Sequence, residues 1–265
     1  MTDKELILKR FLKIDDKLLV SKILDRAFKT QKAKVVTYSD FLDPYQKGLV
    51  EKAFSGDDDI DIVFDGGYDG AERNIVIFRP SFMSFYEEDE DFERPFRLIH
   101  ITATAGGSLT HRDYLGSLMG LGIKREKIGD ILVREDGCSV VVLGDIADYI
   151  QYNLTKVGNV KVRVEQLDID EIQTNDPEVK IINTTVASLR LDCLAAAGFG
   201  MSRNKILDYI TAEKVSLNWD VTSNASKMVK EGDTISVRGR GRVTVDEIGR
   251  TTRKGRIGVI LKKLI

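Results

Sequence analysis

Cysteine, proline, histidine and tryptophan are all scarce in this 265-residue chain, with 2, 4, 2 and 1 copies. Two cysteines, Cys138 and Cys193, cannot build a disulfide framework, and neither sits in a zinc-type cluster. Four prolines exclude a Pro-rich scaffold. With His100 and His111 alone, a histidine-based triad or zinc site has little material. Long apolar runs are missing too, since stretches such as Ser139 to Leu143 are far too short to cross a bilayer. The opening MTDKELILKRFLK interrupts its apolar residues with charge, which argues against a signal peptide. What remains is a chain 42% hydrophobic and 31% charged, too apolar for global disorder and long enough for two or three domains. The expectation is a soluble, cytoplasmic protein with no cofactor, no membrane contact and no small-molecule substrate.

The formal net charge of -2 hides a strong asymmetry. Residues 181–265 hold 15 Lys+Arg against 8 Asp+Glu, while the preceding 180 hold 25 against 34. Acid is concentrated over 57–93, with 13 acids and 2 bases. This partition suggests a nucleic-acid-facing C-terminal module joined to a body with another task.

The patterning predicts an α+β protein of three domains, at 1–90, 91–180 and 181–265. Helical spacing of Leu6, Phe11, Ile14, Leu18, Leu19, Ile23 and Phe28 predicts a helix over 3–36. A second is expected from Pro44 to Phe54, then two strands, DIDIVFDGG and NIVIFRP, joined as a hairpin across GGYDG. The acidic 87–94 stretch reads as a solvated linker. From Phe96 the order is strand, helix, strand, strand, helix, strand, the ferredoxin-like order shared with RNA-recognition motifs, with Leu98, Ile131, Val141 and Val162 expected in one core. Stacking aromatics on the central strands are lacking, so the likeness to RNA-recognition motifs is topological. In the third unit a helix is expected over Val186–Ala197, ended by Gly198 and Gly200, then a second helix capped by Ser202 and four short β segments.

Arg190-Leu191-Asp192, Ser202-Arg203, Ile210, Val215, Asn218, Val229 and Gly232-Asp233 resemble, in order and spacing, the RNA-binding domain of the ribosomal protein S4 type. Glu213 and Trp219 depart from it, standing where that family usually has glycine. RNA phosphates call for cations on a rigid frame, and helix starts add backbone donors. The resemblance therefore points to Arg190, Ser202, Arg203, Lys205, Lys214 and Asn218, with Asp192 orienting an arginine or capping a helix. Asn218 has an equally ordinary job, hydrogen bonding within its own turn. Beyond them, Arg238, Arg240 and Arg242 alternate with glycines that let backbone approach a phosphate ridge, and 238–263 carries 9 bases against 2 acids.

Over a longer span, His111-Arg112-Asp113-Tyr114-Leu115-Gly116, the 121–130 segment LGIKREKIGD, Asn218-Trp219 and the 235–242 segment ISVRGRGR resemble the YlmH family. That family usually has an aromatic where Arg240 stands. The resemblance implies a bacterial, ribosome-associated, RNA-binding protein acting without catalysis in the rescue of stalled large subunits. Its partners would be rRNA and the peptidyl-tRNA, and it would have a link to cell division.

Rival chemistries lack their parts. His111-Arg112-Asp113 has the letters of a kinase catalytic loop but no asparagine at the right distance. Asp57, Asp59 and Asp61 start like a calcium loop, yet Ile62 and Tyr68 occupy its glycine and glutamate positions. Ala105-Gly106-Gly107 is a weak stand-in for a methyltransferase loop. An RNA-modifying enzyme and a division adaptor with incidental RNA affinity are the alternatives. Salt dependence separates the adaptor from an RNA binder.

Overall fold

The computed structural model describes residues 4–55, 60–80, 94–104, 109–174 and 179–264. The chain divides into two compact units, Met1–Thr174 and Asn175–Ile265, each built of helices and antiparallel strands. The Asp57 and Asp59 positions, Ala105-Gly106-Gly107 and the acidic stretch up to Glu93 lie outside the described residues.

The first unit begins with α1 (Lys4–Leu8) and α2 (Ile14–Ala33), so the single helix expected over 3–36 is broken. The apolar stripe changes phase at the break. Ile7 and Phe11 are buried, Leu12 and Ile14 are 93% and 75% exposed, and burial resumes at Val20, Ile23, Leu24 and Ala27. One straight helix could not point both sets inward. After β1 (Thr37–Tyr38), α3 (Pro44–Phe54) starts on a reciprocal cap: Asp43 accepts the Gln46 N–H at 2.9 Å, and the Gln46 side chain accepts the Asp43 N–H at 2.9 Å. Strands β2 (Asp61–Asp65) and β3 (Ile75–Arg79) pair as the expected hairpin, in sheet order β1-β3-β2.

The same unit continues through β4 (Phe96–Ala103), α4 (His111–Gly120), β5 (Ile128–Arg134), β6 (Gly137–Leu143), α5 (Gly144–Asn153), β7 (Lys156–Val157) and β8 (Val160–Leu167). The sheet order is β5-β6-β4-β8-β7. At the start of α4 the Asp113 carboxylate accepts the Thr110 N–H and hydroxyl at 2.8 and 2.7 Å. Strand alternation divides the core expected here. Ile99, Ile101, Ile131 and Val140 face α4 and α5, where Val162 packs, whereas Leu98 and Val141 join Phe96 and Leu143 on the opposite face. That second face is covered by Phe41, Ile75 and Ile77. Asp130 ties the two sheets together, accepting the Tyr68 hydroxyl at 2.7 Å and the Glu72 and Arg73 N–H groups at 2.7 and 3.1 Å.

The second unit consists of β9 (Val179–Val186), α6 (Leu191–Phe199), α7 (Arg203–Thr211), β10 (Val215–Leu217), β11 (Asp220–Val221), β12 (Thr234–Val237), β13 (Gly241–Thr251) and β14 (Ile257–Leu264). Its sheet order is β11-β10-β12-β13-β14-β9. The helix expected from Val186 starts only at Leu191, because the β-branched run before it forms β9 and pairs along the whole of β14. Gly198 lies inside α6 rather than ending it; a Cβ there would meet Val243 Cγ1 at 2.8 Å. Gly200 is the left-handed cap, with φ 62°. Leu191, Leu194, Ile206, Ile210, Val215, Ile235, Val243 and Leu261 form the core. Among the described residues of the whole chain, no helix is long and apolar enough to cross a membrane.

Candidate nucleic-acid interface

The site is organised around Asp192, which has no exposed surface. It is the second residue of α6, where a carboxylate is favoured by the helix dipole. Arg190, immediately before the helix, donates from Nε to Oδ1 at 3.2 Å and from Nη2 to Oδ2 at 3.3 Å. Arg203, the first residue of α7, donates from Nε to Oδ2 at 2.8 Å, with its Nη2 2.7 Å from the same oxygen. Burial alone would raise the Asp192 carboxyl, but hydrogen bonds from Arg203 and Arg190 outweigh it and hold the group below the ordinary carboxylate range. The Asp192 hydrogen bond in turn raises Arg203. One buried anion thus aims two cations whose side chains remain 36% and 53% exposed, leaving a net positive charge at the adjoining starts of two helices. Ser202 caps α7, accepting the Lys205 N–H at 3.3 Å.

A second group forms around Tyr209, half-buried on α7. A hydrogen bond from Arg240, then the positive charge of Arg240, Lys205 and Lys214, lowers its phenol below the usual range. The Lys214 ammonium stands 5.9 Å from the Tyr209 ring centre. Arg238, Gly239 and Arg240 are the three-residue turn between β12 and β13, and the Arg238 N–H donates to the Lys214 carbonyl at 2.8 Å. Gly239, with φ 78°, permits this turn. Tyr209 is a member of the site that the sequence reading missed; its position one helical turn after Lys205 was the available signal.

Arg242 and Asn218 do not join those groups. Arg242 alternates with Val243, which faces α6, and so stands on the other side of the sheet, 5.5 Å from the Trp219 ring centre. Asn218, in the β10–β11 turn, bonds out of that turn to the start of β12, donating to Asp233 at 2.8 Å and accepting the Thr234 N–H at 2.8 Å. Glu213, Asn218 and Trp219 all have positive φ, at 54°, 52° and 63°. The two departures from glycine therefore keep the backbone that glycine would take.

Comparisons with known proteins cover nearly the whole chain. Residues 15–81 match the family described as "YlmH, N-terminal", residues 88–171 "Putative RNA-binding domain in YlmH", and residues 180–248 "Mitochondrial transcription rescue factor 1, C-terminal domain". The Bacillus subtilis (strain 168) protein named "Ribosome-associated protein quality control protein P2" is 34% identical over 250 residues, which are 94% of this chain and 95% of that protein. A solved structure described as "Cell division protein ylmH from Streptococcus pneumoniae" shares the fold over 61% of this chain and 96% of its own, with a TM-score of 0.51 and 21% identity.

Proposed function

The chain belongs to the YlmH family, and from that membership we propose that it is a non-catalytic RNA-binding protein of ribosome-associated quality control. In this reading it acts in the cytoplasm on the large ribosomal subunit, binding rRNA and the peptidyl-tRNA held there. Residues 181–265 serve as an S4-type RNA-binding domain, 91–180 as a ferredoxin-like middle domain, and 1–90 as an α+β domain. The observation that carries the reading is the pair of guanidinium groups held ready by buried Asp192. Fixed, half-exposed arginines at adjoining helix starts suit phosphate oxygens, because little side-chain entropy is left to lose on binding. The name of the Bacillus relative supports the ribosomal setting, and the name of the Streptococcus neighbour supports a link to division.

The half of the middle sheet that carries Phe96, Leu98, Val141 and Leu143 is closed by Phe41, Ile75 and Ile77. RNA held by the middle domain must therefore be held by another part of its surface.

Arg190→Ala and Arg203→Ala test the reading by co-sedimentation with large subunits. Both variants should retain the circular dichroism of the parent and leave the subunit peak. Unchanged sedimentation of both would overturn the assignment.

A further inference from the structure

Beside the Arg203 cluster an open groove of about 340 Å³ runs between α6, β9 and the start of β14. Ala197, Met201 and Cys193 form its apolar floor, and Arg203 and Arg256 stand at it. Arg256 is as firmly fixed as Arg203, but by neutral partners: its Nε donates to the Thr185 hydroxyl at 2.8 Å and its Nη2 to the Thr185 carbonyl. Among the described residues, Asp192 is the one carboxylate bonded to Arg190 and Arg203, so these two guanidinium groups share a single buried negative charge while Arg256 is held by Thr185.

We propose that this groove holds one unpaired nucleotide of the bound RNA, its base on the Ala197–Met201 floor and its phosphates at Arg203 and Arg256. The inference rests on the RNA-binding reading and narrows it to RNA with an unstacked residue beside a helix. A wholly apolar ligand would leave two oriented cations unused, and a bare phosphate would leave the apolar floor wet. A nucleotide satisfies both, since its base gains by leaving water against apolar or guanidinium surfaces while its phosphates meet fixed donors. Base-paired RNA cannot enter, because its bases are stacked out of reach.

Cys193 supplies a reporter in the unaltered protein. It lies half-buried in the groove, whereas Cys138, the other cysteine, is fully buried and its thiol is pushed up by that burial. Iodoacetamide therefore reads Cys193, by mass spectrometry of the full-length chain. The probes are a blunt, fully paired RNA duplex and the same duplex with one bulged adenosine, each at saturation by fluorescence anisotropy. The bulged duplex should abolish Cys193 alkylation and the paired duplex should leave it near the free rate. Ala197→Leu, which fills the floor, should weaken the bulged duplex about tenfold while the paired duplex stays within about twofold. Arg256→Ala should lower the slope of log affinity on log salt for the bulged duplex by about one.

Equal alkylation with the two duplexes would overturn the groove as a nucleotide site while leaving RNA binding in place. Failure of both duplexes to bind would overturn RNA binding and the groove together. Protection by polyglutamate instead of RNA would assign the groove to an acidic protein segment and overturn the proposal. The alkylation measurement needs no variant, so misfolding of Ala197→Leu would not blunt it.

Discussion

Asp192 is fully buried, yet its charge is retained because Arg190 and Arg203 donate to it from two sides. With its folded-state pKa depressed, the stability it contributes is complete above the carboxylate pKa of the unfolded chain and disappears as pH falls through the folded value. Asp192→Asn should therefore cost about 2 kcal/mol near neutrality, toward the lower side for a broken ion pair because both arginines are partly solvated. The variant should also lose part of the acid sensitivity of the parent, as read by urea denaturation from neutral into acid pH. A parent and variant with parallel pH profiles would remove Asp192 from this role. At Tyr209 the direction is downward: the phenol should ionise at lower pH than an ordinary tyrosine, and Arg240→Ala should move it back up, which tyrosine ring NMR can follow. Most residues of the site were legible in the sequence because Arg, Ser and Asp sit at helix starts in recognisable order. Tyr209 was not, because its place depends on Arg240, thirty-one residues later and brought to it only by the β12–β13 turn.

At the scale of elements, periodicity identified the strands and helices of the middle segment but not which side of a strand meets which neighbour. Leu98 and Ile99 are equally apolar, and alternation has no origin until a second layer is known; Phe41, Ile75 and Ile77 supply it. Strand β9 was hidden for a related reason. Its residues 179–183 are mostly exposed, and only pairing with β14 shows them to be a strand. Helix α6 depends on close approach to β13 at Gly198. Gly198→Leu should destabilise the second unit by about 3 kcal/mol through overpacking against Val243, measured by thermal or urea unfolding. An unaffected variant would mean that α6 can shift without cost.

For the whole molecule, the first unit behaves as one body because its two sheets share the Phe41–Phe96 core, whose rings lie 6.1 Å apart. Phe41→Ala should lower the stability of that unit by about 4 kcal/mol and shift the melting of both sheets together. Separate transitions for the two sheets would show that the shared core does not couple them. Residues 181–265, by contrast, carry a net positive charge, and the nine basic and polar residues read from the sequence lie on more than one side of the second unit. Replacing Arg238, Arg240 and Arg242 together should flatten the salt dependence of RNA affinity, by about one log unit per log salt for each phosphate left without its arginine. An identical slope would show that none of the three touches phosphate.

Strand β9 opens the second unit and its partner β14 closes it, with Val179 opposite Leu264. During synthesis β9 is made before its partner, and the backbone groups it turns toward β14 stay unpaired until residues 257–264 have been made. The sheet that supports Arg256 and the groove is thus completed only once β14 has been made. A chain cut short before β14 would leave β9 without a strand partner and β13 as a new open edge, both ready to pair with another strand.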